Sequence, residues 1–303
     1  MKVVFLGFLA NCDESVLNIR FEKGFDVDSM SYPTGFNTLS RLRGSSQKDM
    51  GIETLIVRKG LSRGPPNPFY VVRKEVQVSD YKGDAGDVFG SPAWSLMVKG
   101  QNYLRSKISL LCLWGEGCIS MPLQFVYVDD GEIRPSMGSD NGRINTGGPF
   151  HINEKEADDA NNFIRSNNLP FDDEILQMAF DSFELSCQTI SLELSFISCM
   201  IAIESLLNPS DAEVTYRVSR NLAVLLGTDN ESSEKLFKNM KRLYSVRSQM
   251  VHGKKLKNVV KGDLDTVRNY TKLALRTYLK IGQKRDVLLE RLNSMGFDCI
   301  RQW

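Results

Sequence analysis

Only two of the 303 residues are histidines, and one of them nearly closes the phrase Leu243-Tyr244-Ser245-Val246-Arg247-Ser248-Gln249-Met250-Val251-His252-Gly253. Acid/base chemistry near neutral pH therefore centres on His252. Arg247 precedes it by five positions, which on an uninterrupted helix would turn the two side chains roughly 140° apart. Gly253 changes that geometry. A glycine here is the usual residue just past a helix end, so His252 is expected where the backbone turns and its ring can swing toward the arginine. Carbonyl groups at a helix C-terminus also favour the protonated imidazole. Lys254, Lys255 and Lys257 follow at once and could hold the phosphates of a bound strand. An arginine that stabilises charge beside a histidine that moves protons suffices for RNA cleavage without a metal. The substrate's 2′-hydroxyl would be the nucleophile, His252 the general base or acid, and Arg247 the group facing the developing phosphorane charge. DNA lacks that hydroxyl and would resist.

Two charged residues stand where helical periodicity calls for apolar ones. Glu204 continues a face formed by Ile190, Leu194, Ile197 and Ile201, and Arg247 continues a stripe of Leu236, Met240 and Leu243 that ends at Met250. A charge on such a face is tolerable only when paired or used. One reading is an internal Glu-Arg salt bridge tying helices together. The other makes Arg247 a phosphate-binding cation at a cleft or subunit interface, with Glu204 orienting it or a neighbour such as Arg217.

The elements that must position these residues lie in the second half. Asp172 to Leu207 has no Gly or Pro and is bounded by Pro170 and Pro209, which predicts one long helix or two nearly continuous ones. Further helices are expected over Glu213 to Leu226, from near Ser232 to Gly253, and over Asp263 to Ile281 with Leu264, Val267, Ala274 and Tyr278 inward. Short turns between them predict an antiparallel bundle. The first half reads as β-rich, with strands over Lys2–Phe8, Glu53–Arg58, Phe69–Val78, Ile108–Trp114 and Leu123–Val128 forming a sandwich or curled sheet. Long polar loops separate them at Gly60–Pro68, Tyr81–Pro92 and Asp129–Phe150, the last a natural linker. The expected class is α+β, with a β-rich domain over 1–150 and an all-α domain over 151–303.

Net charge is close to neutral, yet residues 213–303 carry 19 Lys and Arg against 9 Asp and Glu. Between Lys241 and Arg285 only Asp263 and Asp265 oppose thirteen cations, a balance suited to a polyanion or to a solvated face. Arg268, Lys272, Arg276, Lys280 and Lys284 form a row on the last long helix that could track a nucleic-acid backbone or simply face water. The six cysteines include no CxxC pair, so reduced thiols in a cytoplasmic protein are expected, with no metal and no cofactor. Val3 to Ala10 before Cys12 faintly suggests a lipoprotein leader, but a buried first strand suits it better, and no membrane span is expected. Gly142–Gly148 lacks the Lys-Ser/Thr ending of a phosphate-binding loop. Asp129, Asp130, Asp158 and Asp159 read as solvated acids, His151 as an ordinary polar residue, and Trp94 and Trp114 as core.

The phrases Ala202-Ile203-Glu204-Ser205-Leu206-Leu207, Tyr216-Arg217-Val218-Ser219-Arg220-Asn221-Leu222-Ala223 and Tyr244 to Gly253 together resemble the Apea-like branch of the HEPN superfamily of α-helical ribonucleases. The likeness covers roughly the final 140 residues and leaves the first half uncovered. It implies a metal-independent endoribonuclease, homodimeric through the helical domain, in which two Arg-x4-His signatures meet across the interface. It also implies a toxin or anti-phage effector that cuts tRNA or mRNA. Arg247 and His252 carry over as catalytic, Ser248 as the polar position after the arginine, and Glu204 as a recurrent acid of the branch. Many relatives have Asn, Asp or His where Ser248 stands. The alternatives are a non-catalytic HEPN module that binds nucleic acid or a nucleotide, and an interaction protein in which Arg247 and His252 only brace the fold. The first half then acts as a sensing or regulatory domain whose long loops could take a phage protein, a nucleic-acid end, another regulatory ligand or a second copy of the chain.

Overall fold

The structure is a computed structural model that describes residues 2–43, 50–78, 91–129, 133–140, 148–210, 212–251 and 259–297. The chain is α+β and divides into two compact units, Met1–Leu169 and Pro170–Trp303.

The first unit contains strands β1 (Lys2–Ala10) and β2 (Asp26–Met30), helices α1 (Tyr32–Leu42) and α2 (Met50–Lys59), and strand β3 (Phe69–Gln77). Helix α3 (Pro92–Leu111), strands β4 (Ser120–Asp129) and β5 (Ile133–Asp140), and helix α4 (Glu154–Ser166) follow. The strands form one antiparallel sheet in the order β2-β3-β1-β4-β5. Central β1 is buried from Val3 to Ala10. On one face Val4, Leu6 and Phe8 pack with Leu39 and Leu42 of α1 and Ile52 and Ile56 of α2. On the other, α3 approaches so closely at Gly100 that a Cβ there would stand 3.0 Å from the Phe5 ring. Helices thus cover both faces, which is why β1 reads as a continuous apolar run. Of the expected sandwich or curled sheet, the sandwich gives way, among the described residues, to a single sheet between helical layers.

Three expected strands are present, over Lys2–Ala10, Phe69–Gln77 and Ser120–Asp129. Two are helical instead. Glu53–Arg58 lies within α2, where Ile52 and Ile56, one turn apart, are buried. Ile108–Trp114 continues the end of α3, whose Leu104, Ile108 and Leu111 are buried at helical spacing. That helix starts at the Ser91 cap, whose Oγ accepts from the Trp94 N–H at 3.1 Å. Short apolar runs satisfy either period, and here the longer helical repeat wins. The expected linker Asp129–Phe150 contains β5, registered on β4 from Leu123↔Asp140 to Asp129↔Ile133. Most of the expected Tyr81–Pro92 loop lies outside the described residues.

Helix α4 belongs to the first unit, so the division falls at Leu169 rather than 150. Lys107 on α3 is buried and its ammonium donates to the Ile164 carbonyl at 2.5 Å, the Asn167 carbonyl at 2.6 Å and Asn168 Oδ1 at 2.8 Å. A cation on the last carbonyls of α4 fixes that helix to α3. Burial pushes the Lys107 pKa down from its ordinary value.

The second unit is helical: α5 (Glu174–Gln188), α6 (Leu192–Leu207), α7 (Val214–Leu226), α8 (Asn230–Val251), α9 (Lys261–Ile281) and α10 (Arg285–Ser294). The run from Asp172 to Leu207 is two helices, broken where Ser191 caps α6 by accepting from the Leu194 N–H. Phe180, Phe183, Phe196, Met200, Ile203 and Leu222 fill the core, together with the expected Leu264, Val267, Ala274 and Tyr278 of α9. Three arginines close helix C-termini. Arg268 donates to the Ser186 carbonyl of α5, Arg285 to the Ser205, Leu206 and Asn208 carbonyls at the end of α6, and Arg220 to the Leu292, Asn293 and Met295 carbonyls at the end of α10. Each satisfies carbonyls that the helix leaves without partners. The row from Arg268 to Lys284 is therefore not one open face, since Arg268 is engaged with α5 and Lys272 is buried.

Candidate active site

Helices α6 and α8 bring Glu204 and Arg247 together. Met240 and Leu243 are fully buried and fix the rotation of α8, so Arg247, one turn beyond Leu243, leaves the core on the same stripe. Glu204 lies in the last turn of α6, whose terminal carbonyls Arg285 holds. Arg247 Nη2 stands 3.4 Å from Glu204 Oε2, with the side chains 34% and 26% exposed. The pair sits at the edge of the core, neither sealed inside nor fully solvated.

Tyr244, one turn before Arg247, is the third member of this group. Its hydroxyl donates to the same Glu204 Oε2 at 3.3 Å, and its ring is buried. Burial pushes the Tyr244 pKa up strongly, helped by the Glu204 charge and the hydrogen bond to it, while Arg247 opposes the shift. The phenol is thus a fixed neutral donor. One carboxylate oxygen accepts from the phenol and lies within ion-pair range of the guanidinium, so Tyr244 orients Glu204 and the Glu204 charge draws Arg247 to it. An arginine has five N–H donors. Among the described residues Arg247 makes one ion pair, with Glu204, and no hydrogen bond, which leaves its donors for an anion.

Ser248 is exposed on the next position of α8. Arg217 on α7 does not join the group among the described residues; its Nη2 lies 3.9 Å from Oε2 of Glu213, the residue that precedes that helix. His252, Lys254, Lys255 and Lys257 lie outside the described residues, which end on this side at Val251. The other histidine has a place of its own in the first unit. His151 Nδ1 is 2.8 Å from Asp13 Oδ2, and its backbone exchanges hydrogen bonds with Glu116. Burial works to raise the Asp13 pKa, but hydrogen bonds from Ser15 and His151 outweigh it and hold the carboxyl below its ordinary value.

The α6 face that carries Glu204 is apolar and open. Leu194 is 58% exposed and Ile201 41%, and Ile190, just before the helix, is 83% exposed. The sequence placed these residues on one face with Glu204 but gave no sign that they would lie outside the core. Tyr244 was legible only as a residue one turn from Arg247; the oxygen it shares with Arg247 belongs to a helix forty residues away. Among the described residues no group of three or more His, Cys, Asp or Glu side chains could hold a metal ion, and no helix is long and apolar enough to cross a membrane. No protein-family model, curated protein or solved structure matches the chain.

Proposed function

We propose that the second unit is a metal-independent endoribonuclease of the HEPN type that cuts tRNA or mRNA in the cytoplasm as a toxin or anti-phage effector. The observation that carries the reading is the arginine itself: Arg247 leaves an apolar stripe at the edge of the core, is drawn to a Glu204 that Tyr244 orients, and among the described residues donates no hydrogen bond. A guanidinium held this way suits a phosphorane, whose charge appears on the equatorial oxygens as the 2′-hydroxyl attacks. His252, five residues on, supplies the proton transfer that Arg247, always protonated, cannot. Glu204 acts as a positioning residue. Lys254, Lys255 and Lys257, which follow His252 in sequence, supply phosphate contacts in this reading.

The open face of α6 supports a homodimer in this reading. Ile201 lies one turn before Glu204 and Leu194 two turns before Ile201, and a second copy seated on this face would dehydrate the pair and bring two signatures together. The toxin or defence role rests on the resemblance to the HEPN superfamily, with the first unit as the sensing or regulatory part.

The Glu204–Arg247 ion pair also favours a second reading, in which the two residues brace a non-catalytic module that binds nucleic acid or a nucleotide. Incubating the protein with tRNA and mRNA in excess chelator, beside Arg247→Ala and His252→Ala, separates the two. Cleavage that survives chelation and vanishes in folded variants supports the nuclease. Binding without cleavage in the wild type supports the module.

A further inference from the structure

A cavity of about 640 Å³ in the first unit has the chemistry of an anion site on an apolar wall. Lys23, Lys74 and Lys99 reach it from the loop before β2, from β3 and from α3, and no Asp or Glu stands among its described lining residues. None of the three lysines is in an ion pair among the described residues. Both Lys23 and Lys74 are held over rings: Lys23 Nζ lies 4.6 Å from the Tyr103 centroid and Lys74 Nζ 5.0 Å from that of Phe25. Those rings stack on each other at 5.6 Å and 21°. Lys74 also donates to the Lys23 carbonyl at 2.6 Å. Lys23 adopts a left-handed backbone (φ 61), a conformation unfavourable for a side-chain-bearing residue and kept where surrounding structure demands it.

Three lysines with no acid among the described lining residues leave the cavity with an uncompensated positive charge. An anion balances it. Several positive charges at separate points suit a chain of phosphates better than a single one, and the apolar wall formed by Val76 and Leu96 suits a flat ring. The volume lies within the roughly 300–1,000 Å³ usual for small-molecule sites. We propose that this cavity binds a nucleoside di- or triphosphate, with Lys23, Lys74 and Lys99 on the phosphates and the base against the apolar wall. The site lies wholly within Met1–Leu169 and does not depend on the nuclease reading; it gives the first unit a small-molecule ligand.

Titration calorimetry of the full chain with ATP, GTP and inorganic tripolyphosphate at physiological salt tests it. Saturable binding of at least one nucleotide is expected, at least tenfold tighter than tripolyphosphate. Lys74→Met with Lys99→Met keeps the stems and removes two charges, and should weaken that binding tenfold or more. The same double variant should stay folded, giving up only the Lys74 hydrogen bond to the Lys23 carbonyl and its contact with the Phe25 ring, and a cooperative melt without ligand checks this. Leu96→Trp, which fills the cavity and leaves the lysines, should also weaken binding. No nucleotide binding at millimolar concentration, equal affinity for tripolyphosphate, or unchanged affinity in the double variant would each overturn the proposal. Cleavage of RNA by the wild type is scored separately, so failure here leaves the nuclease reading standing.

Discussion

Replacing Glu204 by Gln separates positioning from bracing. The carboxylate lies 3.4 Å from Arg247. At that distance two unit charges interact by about 1 kcal/mol at the dielectric of water, and double-mutant cycles on exposed pairs give roughly 0.2–1 kcal/mol. Glutamine keeps an acceptor for the Tyr244 hydroxyl, so most of that hydrogen bond survives. The stability loss should therefore stay near or below about 1 kcal/mol, a shift of no more than about 4 °C in Tm for a unit of this size. Catalysis should suffer far more, since a guanidinium displaced by about 1 Å can cost on the order of 100-fold in rate. Binding should move the other way, because a negative charge that competes with the phosphate has gone. Single-turnover cleavage measured against RNA concentration, with a thermal melt of the same protein, reads all three quantities. A cleavage rate within twofold of the wild type, or a melt lowered by more than about 10 °C, would refute positioning and favour a brace.

The open face of α6 makes a second prediction. Ile201→Arg should leave the monomer fold intact, because the residue is exposed, yet sediment as a monomer, lose cleavage, and lose any dependence of the melt on protein concentration. Arg285→Ala should cost roughly 2–3 kcal/mol in urea unfolding, since the Ser205, Leu206 and Asn208 carbonyls lose a charged donor, and Arg285→Lys should recover only part of it. Tyr70, Tyr103, Tyr127, Tyr244 and Tyr278 are all held above the ordinary phenol value, chiefly by burial, Tyr278 at about 12. Raised folded-state values mean that unfolding releases protons above about pH 10. Stability should therefore be intact below pH 10 and fall as pH rises through the raised values, with tyrosinate absorbance increasing in step with unfolding rather than before it.

The helical unit was largely legible because Pro170, Pro209 and Gly227 punctuate it and apolar residues recur at three and four. The pairing of Glu204 with Arg247 followed from the same periodicity, since each interrupts an apolar face. The first unit was harder. The runs at Glu53–Arg58 and Ile108–Trp114 are short and apolar, and which period they obey depends on Leu104, Ile52 and other partners outside them. Strand β5, with its glycine, proline and serines, carries little strand propensity and is held by its register on β4. Part of the basic surplus serves the fold. Arg220, Arg268 and Arg285 answer backbone carbonyls of helices distant in sequence, and a carbonyl carries no letter in the sequence. The lysine-lined cavity was invisible likewise, because Lys23, Lys74 and Lys99 come from three separate elements.

The end groups of the cut RNA test the central claim most directly. Attack by the neighbouring 2′-hydroxyl, with Arg247 on the phosphorane and His252 moving the proton, leaves a 2′,3′-cyclic phosphate and a 5′-hydroxyl. Those ends should form in excess chelator, and a 2′-deoxy residue at the cleaved position should block the cut. Ends bearing a 5′-phosphate and a 3′-hydroxyl, or equal cutting by folded Arg247→Ala, would contradict it.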